Sequence, residues 1–280
     1  MPSTLDMRRR IKSVKNTSQI TKAMQMVAAA KMRKAQAAAV AGRPYQEMLT
    51  RVLSAIKGHV DPASHPLLEV RPINQELILI FSTDKGLCGP LNTNLFRELA
   101  DTDPTKTQFA VMGKKAAQYL GRTKRSLIAD YALKDAVRYA DIRPVAKYVA
   151  DKFISGEVDS VRVLYPKFVN TLTQQPVLRA LLPIPAEELD VEKQTGEFLF
   201  EPDVHGVLDA ILPHYVAFQL FEMALNARAS EHSARMVAMK NATDNAKQLI
   251  QDLTLEYNKV RQANITTELL EITTAQLAVE

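Results

Sequence analysis

The stretch MRRRIKSVKNTSQITKAMQMVAAAKMRKAQ, which covers Met7 to Gln36, decides the fold of this chain. It lies in a run from Ser3 to Ala41 without glycine or proline and with many alanine and methionine residues, a composition that favours helix. Its apolar residues recur at steps of four and three, the spacing of a coiled-coil seam. The seam residues are Met7, Ile11, Val14, Ile20, Met24 and Val27. We therefore expect a long helix that pairs with a second helix along this seam.

One interval in this seam departs from the regular spacing. Val14 and Ile20 are linked through Thr17 by two steps of three, which predicts a stammer that locally overwinds the coil. Further on, Gly42 and Pro44 predict a kink or a break in the helix. An apolar stripe then resumes, so the whole arm is about 55 residues long. The stripe consists of Tyr45, Met48, Leu49, Val52, Leu53 and Ile56.

The other end of the chain has a second arm of this kind. No glycine or proline occurs in the 67 residues after Pro213, an extent of about 100 Å if the segment is wholly helical. Its apolar residues again step by four and three. They are Ala242, Ala246, Leu249, Leu253, Tyr257 and Val260, followed by Ile265, Leu269 and Ile272. Two such seams predict a long antiparallel two-helix coiled coil, although each arm alone also fits a core helix of a bundle.

The unequal lengths of the arms predict an uncovered tip. If both arms start at the same level, about 15 residues of the second arm extend beyond the first, an overhang of about 20 Å. An exposed apolar helix end is an association hazard, so we expect another protein to enclose this tip. Its apolar residues are Ile265, Leu269, Ile272, Leu277, Ala278 and Val279.

Between the arms the pattern changes to short aliphatic runs that alternate with helical stretches, which is typical of an α/β sheet domain with crossover helices. We predict strands at Glu76–Phe81, Gln108–Met112, Ser160–Tyr165 and Pro176–Leu182, and helices at Asn92–Ala100, Lys114–Leu120 and Arg143–Ile154. A connector with three prolines, residues 183–204, returns the chain to the second arm. The predicted domains are an N-terminal coiled-coil arm at 1–58, a central α/β domain with its connector at 59–204, and a C-terminal coiled-coil arm at 205–280.

Positive charge is concentrated in the first arm. Residues 1–42 carry nine Lys and Arg against one Asp, a net charge of +8, whereas the whole chain carries +5. A solvated helix face explains this charge, and so do nucleic acid, an anionic lipid surface or an acidic protein surface. No apolar run approaches the roughly 18 residues that span a bilayer, so we expect any membrane association to come through a partner.

Motifs for catalysis in the middle segment are weak. Gly86 and Gly89 follow the first predicted strand, but a dinucleotide loop has three glycines at a different spacing, and no phosphate-binding P-loop occurs. Asp84 and Lys85 are the best acid and base candidates, and we favour a structural turn for them. The adjacent acids Glu187 and Glu188 lie in the proline-flanked connector, where solvated carboxylates are the usual case.

Metal and thiol chemistry is not indicated either. The five histidines are far apart in sequence and no Cys/His cluster occurs, so we expect no metal site and no cofactor. We interpret Glu231 and His232 as a surface pair on a helix. The single cysteine, Cys88, is predicted to be a free, buried and inert thiol. No catalytic, cofactor-binding or metal-binding residue is therefore predicted.

Three long segments carry the strongest signal in the sequence. They are MRRRIKSVKNTSQITKAMQMVAAAKMRKAQ (Met7–Gln36), STDKGLCGPLNTNLFR (Ser82–Arg97) and ARMVAMKNATDNAKQLIQDLTLEYNKVRQANITTELLEI (Ala234–Ile272). In order and spacing they closely resemble the gamma subunit of the F-type, rotary ATP synthase. The chain departs from that family at Pro90, where a second glycine is common, and near Thr273, where small Gly and Ala residues are common. It also lacks the paired-cysteine insertion of chloroplast forms.

This resemblance implies a non-catalytic rotor of the central stalk. The two arms would form an asymmetric shaft inside a hexamer of alternating alpha and beta subunits, and the α/β domain would dock on the membrane c-ring and the epsilon subunit. The angle of the shaft would bias the open and closed states of three catalytic interfaces through differential contacts. The resemblance further implies a peripheral location at the cytoplasmic face of a bacterial inner membrane.

The resemblance also implies which residues contact the hexamer. They are Lys22, Met24 and Val27 in the first arm and Arg261, Gln262, Thr266 and Glu268 in the second. Leu269 and Ile272 are expected contacts for a different reason, because they belong to the uncovered tip. The basic first arm would suit acidic loops on the beta subunits, and nucleic acid is not an expected partner. Alternatively, Met24 and Val27 pack the coil and the polar residues are solvated.

Two other functions fit parts of the pattern. A coiled-coil adaptor with an α/β head needs the apolar seams but does not need the three-segment match. A nucleotide-dependent enzyme needs a converging polar site, which the sequence does not show.

Overall fold

Two long helices dominate the chain in the computed structural model, which describes residues 3–57, 65–185 and 204–277. The chain folds into two compact units, one made of residues 29–235 and one made of residues up to Ala28 together with those from Met236 onward. Helices α1 (Thr4–Lys57) and α5 (Val204–Leu277) contribute to both units. The boundaries that we expect for the two arms and the central domain stay a prediction.

The larger unit contains a five-stranded sheet. Its strands are β1 (Glu76–Phe81), β2 (Thr107–Met112), β3 (Leu127–Tyr131), β4 (Ser160–Phe168) and β5 (Gln174–Leu182). They lie in the order β3-β2-β1-β4-β5, and all neighbours are parallel except the β4–β5 hairpin. The connections include a short 3-10 helix (Pro66–Leu68) and the helices α2 (Leu91–Arg97), α3 (Lys114–Arg122) and α4 (Tyr139–Ile154). The predicted fold class, an α/β sheet with crossover helices between two long helical arms, is confirmed.

Strand β1 is buried on both faces, which explains its unbroken apolar run. Leu77, Leu79 and Phe81 join a core that includes residues of α1, α4 and α5. Ile78 and Ile80 join a second core with residues of α2 and α3. The carboxyl ends of the four parallel strands therefore lie at one edge, where the turn after β1 is found.

Of the predicted kink or break at Gly42 and Pro44, the break is wrong, because α1 runs without interruption to Lys57. The kink stays a prediction. Proline lacks the amide that would bond the carbonyl four residues earlier, so it normally weakens a helix at this point. Here Leu49 and Leu53, in the turns that follow, are buried in the core of the larger unit. Tertiary packing therefore outweighs the local preference for a break.

The smaller unit contains an antiparallel pair of helices. Arg8 of α1 donates from Nε to the Tyr257 hydroxyl at 2.8 Å, and the hydroxyls of Thr21 and Thr243 lie 2.7 Å apart. Residue numbers rise along α1 as they fall along α5, which is the predicted direction. The predicted two-helix pairing is thus confirmed.

The predicted stammer is wrong, because the buried side of α1 keeps one regular seam. Ser18, Thr21 and Gln25 are partly buried, whereas Thr17 and Ile20 are exposed. Residues 7, 11, 14, 18, 21, 25 and 28 are all shielded from solvent and follow steps of four and three without interruption, and Met24, next to this series, is partly buried too. Polar residues occupy part of the seam, so hydrophobicity alone predicted the wrong phase.

The same correction applies to α5. Leu249 is exposed, and Ile250 lies on the shielded side in its place. Thr243 is buried and Ala242 is partly buried. The hydroxyls of Thr21 and Thr243 hydrogen-bond to each other, so both polar groups are satisfied within the seam. A purely apolar seam would have apolar side chains at these two positions.

Candidate protein interface and buried ionic cluster

The outward side of α1 in the smaller unit carries apolar residues among basic ones. Ile20 is 60% exposed, Met26 60% and Val27 56%. Lys22 is exposed as well, and Met24 is partly buried. Val27 therefore does not pack in the coil, and contact with a partner is the explanation that is left for it. Met24 is compatible with both packing in the coil and contact with a partner. Sequence analysis missed Ile20 and Met26 as outward residues, since it placed one in the seam and did not consider the other.

The second arm is exposed along its tip. Every residue from 261 to 274 is exposed, so Arg261, Gln262, Thr266 and Glu268 all face solvent in the chain alone. Leu269 is 58% exposed and Ile272 60%, with Ile265 and Leu270 beside them. Leu270 was not among the predicted tip residues. The side chains of Leu277, Ala278 and Val279 lie outside the described residues, as do Glu187 and Glu188.

The two sets of predicted contacts are not one site. Thr21 of the first arm, next to Lys22, lies against Thr243, and Arg261 is eighteen residues further along α5. At 1.5 Å per residue the sets are therefore separated by about 27 Å. A partner that touches both must be large or must contain several subunits.

The turn after β1 has the geometry of a structural element. Asp84 accepts a hydrogen bond from the Lys114 amide at the start of α3, at 3.1 Å. Ser82 Oγ donates to the Gly113 carbonyl and accepts from the Ala116 amide, both at 2.9 Å. These bonds tie the ends of β1 and β2 to α3. They support the structural turn that we favoured over an acid and base site.

A buried ionic cluster lies beside this turn, on α5. Arg228 is 2% exposed; its guanidinium donates to the carbonyls of Leu133 and Lys134 and pairs with Glu231, and its Nη2 lies 3.5 Å from Asp84 Oδ2. A buried charge is costly unless it is paired and hydrogen-bonded, and this guanidinium meets both conditions.

The interpretation of Glu231 and His232 as a surface pair is wrong. Glu231 is 4% exposed and His232 3%. Glu231 Oε1 accepts from Arg235 Nη2 at 2.8 Å, so this carboxylate joins two arginines. Burial lowers the pKa of His232, and its Nδ1 has no hydrogen-bond partner among the described residues. Helix positions rich in charge are usually solvated, which is why sequence reasoning missed this burial.

Cys88 is a free and buried thiol, as predicted. It packs with Leu91 and Ala234, and its sulfur lies 3.5 Å from Asn92 Nδ2. Burial raises the pKa of this thiol, which lowers its thiolate fraction near neutral pH and so its reactivity. This agrees with the inert thiol that we expect.

Within residues 3–57, 65–185 and 204–277, no three His, Cys, Asp or Glu side chains come together as metal ligands would. In the same residues, none of the helices has an apolar stretch of bilayer-spanning length.

Comparison with known proteins accounts for the whole length of the chain. The model of the ATP synthase family matches residues 3–279. The ATP synthase gamma chain of Opitutus terrae is 49% identical over 99% of both chains, and that of Akkermansia muciniphila is 47% identical over the full length of both. This chain belongs to the ATP synthase gamma chain family. The resemblance seen in three sequence segments is therefore confirmed.

Solved structures of ATP synthases contain chains with the same fold. A chain from the mitochondrial ATP synthase of Euglena gracilis, in a structure of OSCP, F1 and the c-ring, has a TM-score of 0.74 and is 23% identical over 99% of this chain and 94% of its own. A chain in the rotor of the same enzyme has a TM-score of 0.69 and is 21% identical, covering 94% of this chain and 98% of its own. The fold of this chain is therefore shared at low sequence identity.

Proposed function

We propose that this chain is the central-stalk rotor of an F-type ATP synthase. It couples proton-driven rotation of a membrane ring to conformational changes at catalytic sites in an alpha/beta hexamer. The single observation that carries this proposal is the 49% identity to a gamma chain over nearly its whole length. The paired helices with an exposed apolar tip support it, because a shaft needs a partner around it.

In this mechanism the chain catalyses nothing itself. Its two helical arms, 1–58 and 205–280, turn inside the hexamer as one shaft, and the central domain at 59–204 receives the turning force. A shaft with different side chains around its circumference contacts each catalytic interface differently. Each angle therefore favours a different distribution of open and closed interfaces, and only this differential contact energy moves the equilibrium.

The first arm meets the hexamer through its outward residues. Val27, with Ile20 and Met26, offers apolar contact, and exposed Lys22 offers charge. The net charge of +8 in residues 1–42 suits acidic loops on the beta subunits and speeds encounter with them. Met24 contributes the part of its side chain that the coil leaves accessible.

The second arm meets the far end of the hexamer. Arg261, Gln262, Thr266 and Glu268 form polar contacts there, and Leu269 and Ile272 turn within an apolar sleeve. Apolar contact is non-directional, so it covers the tip without holding it at one angle. A set of ion pairs in the same place would instead favour particular angles.

The sheet unit docks on the c-ring and the epsilon subunit, and nucleic acid is not a partner. The complex lies at the cytoplasmic face of a bacterial inner membrane, where this chain is peripheral. The gamma chains of bacteria such as Opitutus terrae support this location.

The experiment is reconstitution with the alpha, beta and epsilon subunits and the membrane sector. We expect the chain to co-purify with the hexamer, to rotate when ATP is added and to be required for ATP-driven proton pumping into vesicles. A chain that assembles with no alpha or beta subunit would contradict the rotor and favour an adaptor. Stoichiometric nucleotide binding by the isolated chain, measured by calorimetry, would favour an enzyme.

A further inference from the structure

Four residues in the segment of α5 from Arg228 to Arg235 are hydrogen-bonded to three loops at one edge of the sheet, and they are Arg228, Ser230, Ser233 and Arg235. The loops are the turn at residues 84–86, the segment 133–135 after β3, and the residues 166–171 at the end of β4 and in the β4–β5 connection. The contacts all lie within the larger unit. Arg235 is the last residue of that unit, and α5 continues from it into the smaller one.

Arg228, Glu231 and Arg235 share one face of the helix, since they are spaced by three and four residues. Arg228 binds two carbonyls of the segment after β3 and approaches Asp84 of the turn. Arg235 Nη2 donates to the carbonyls of Lys85 and Gly86, each at 3.3 Å. Glu231 links the two guanidinium groups. The result is a continuous charged network with four backbone carbonyls as its fixed ends.

Two serines add a third line of attachment. Ser230 Oγ donates to the Pro166 carbonyl at 2.8 Å, and Ser233 Oγ donates to the Thr171 carbonyl at the same distance. Both hydroxyls are on residues that are completely buried. Helix α5 is therefore hydrogen-bonded to β4 and to the β4–β5 connection through the serines. It is bonded to the turn at residues 84–86 and to the segment 133–135 through the arginines.

We propose that Arg228, Glu231 and Arg235 are positioning residues that form a torsion joint, through which turning force on the sheet enters α5. This proposal rests on the rotor function proposed above. A rotor under load must resist twisting where its receiving domain ends. At that place the structure has directional bonds to backbone on three loops.

The chemistry of the network favours this role over simple stabilisation. Replacing a buried ion triad by apolar residues of similar size is often neutral or stabilising, so stability alone does not require it. Apolar contacts are non-directional and slide past each other at little cost. Charge-assisted bonds from planar guanidinium groups instead fix both distance and angle. The joint therefore resists twisting of α5 relative to the sheet, whereas the apolar tip allows α5 to rotate within its sleeve.

The test compares coupling with and without load in the reconstituted complex. Glu231→Gln keeps the shape of the side chain and removes the charge that links the arginines, and Arg235→Gln removes the bonds to the turn. We expect both complexes to hydrolyse ATP without a proton gradient within about twofold of the original rate. Against an imposed gradient, we expect protons pumped per ATP to fall about fivefold. Single-molecule recordings should show wider angular fluctuation of a probe attached to the smaller unit.

Two control variants test whether a pumping defect has another cause than loss of the joint. One tests lower stability, and the other tests the loss of an exposed charge on α5. Val149→Ala creates a cavity in the core of the sheet unit, far along the chain from the joint, and lowers the melting temperature without touching the network. Asp244→Asn removes the acid of an exposed pair with Lys247 on the same helix. Both should pump normally under load.

Two results would overturn the joint. One is normal pumping under load by both Glu231→Gln and Arg235→Gln. The other is an equal loss in Val149→Ala, which would assign the defect to stability. If the complex with the unaltered chain does not rotate or pump, the rotor function itself fails, and that outcome is distinct from either of these.

Discussion

Apolar side chains in the sheet of the larger unit are far less exposed to solvent than those on the outward side of the paired helices in the smaller unit. In the sheet, Leu77 to Phe81 are completely buried, with apolar partners on both faces. In the smaller unit, Ile20, Val27 and Leu269 are each more than half exposed. A two-helix pair has only one seam, so it has no second layer that covers its outward side. The chain itself therefore covers the central strand of the sheet, whereas it leaves the outward side of the paired helices exposed.

The largest expected effect tests how tightly the sheet unit is packed. A Cβ at Gly113 would lie 2.3 Å from the Ser82 carbonyl oxygen, and the residue has a φ of +117°. Gly113→Ala should therefore reduce the free energy of unfolding by about 3 kcal/mol, because neither backbone can yield without breaking the bonds between β1 and α3. Urea denaturation followed by circular dichroism measures this loss.

Gly121→Ala is the matched control. It lies within α3 and a Cβ there meets no atom within 4 Å. Alanine is the better helix former, so this change should stabilise the unit by about 0.5–1 kcal/mol. If both variants changed the free energy of unfolding by equally small amounts, the backbone at the end of β2 would have shifted to accept the new Cβ. That result would contradict tight packing of the sheet unit.

The second prediction concerns the tip. Leu269→Asp with Ile272→Asp should weaken assembly with the hexamer about 100-fold, since the proposed apolar sleeve would meet two charges without partners in place of two apolar side chains. The stability of the chain alone should change by less than about 0.5 kcal/mol, because both positions are exposed in it. Titration of the chain into alpha and beta subunits measures assembly, and ATP-driven rotation measures coupling.

Removal of the residues from Ala275 onward should be milder than the double substitution, because the tip residues before them stay in place. Normal assembly and coupling in the double Asp variant would show that no apolar sleeve holds this end of α5. A loss of stability in the chain alone would instead show that the tip packs on itself.

The third prediction separates two adjacent residues of α1. Ala28 is 1% exposed and Val27 is 56% exposed. Ala28→Asp should destabilise the chain by about 2 kcal/mol, because it places a charge without a partner in the seam. Val27→Asp should leave stability within about 0.5 kcal/mol and weaken assembly with the hexamer.

Thermal unfolding of the two variants, together with pull-down by alpha and beta subunits, makes this comparison. If Val27→Asp also lowers the melting temperature, the seam has the phase first predicted from the sequence. If it affects neither stability nor assembly, the outward side of α1 does not contact the hexamer.

These two residues also show why the sequence predicted the pairing of the helices and not the phase of the seam. Apolar residues occur both on the side of α1 that is buried within the chain, as at Ala28, and on the side that is exposed in the chain alone, as at Val27. The true seam includes Ser18, Thr21 and Gln25, which hydrophobicity alone assigns to solvent. A hydroxyl in a seam is tolerated when it meets another, as Thr21 meets Thr243.

Predictions in the sheet unit failed for two other reasons. Strands β1, β2, β4 and β5 are rich in aliphatic residues and were predicted, with bounds that differ from the structure by up to three residues. Strand β3, Leu127–Tyr131, was missed because it is a half-exposed edge strand of five residues. The burial of Glu231 was missed because the groups that surround its arginine partners, Asp84 and the loop carbonyls, come from distant segments.

The smallest expected effect is a pH dependence of the larger unit, where burial lowers the pKa of His232 below its usual value of 6.5. The unfolded chain therefore binds a proton more readily than the folded one as pH falls below about 6.5. Stability is fully present above that pH and is lost as the pH falls from there towards the folded pKa, by at most about 1.4 kcal/mol per pH unit for one group. The nearby charges are Glu231 and Asp135, which oppose the lowering, and Arg228 and Arg235, which add to it.

The measurement is the free energy of unfolding at about pH 7.5 and about pH 5.5, on either side of the ordinary histidine pKa, for the original chain and for His232→Gln. We expect the variant to lose less stability between the two pH values, because glutamine takes up no proton. Burial also lowers the pKa of His65, so a variant with both histidines replaced should have a still smaller slope. Asp135, whose pKa is held low by its hydrogen bond from Lys31, adds a loss at more acidic pH in every variant. Parallel losses with and without His232 would mean that the folded unit protonates this imidazole as easily as the unfolded chain does, in which case its buried setting has no effect on stability.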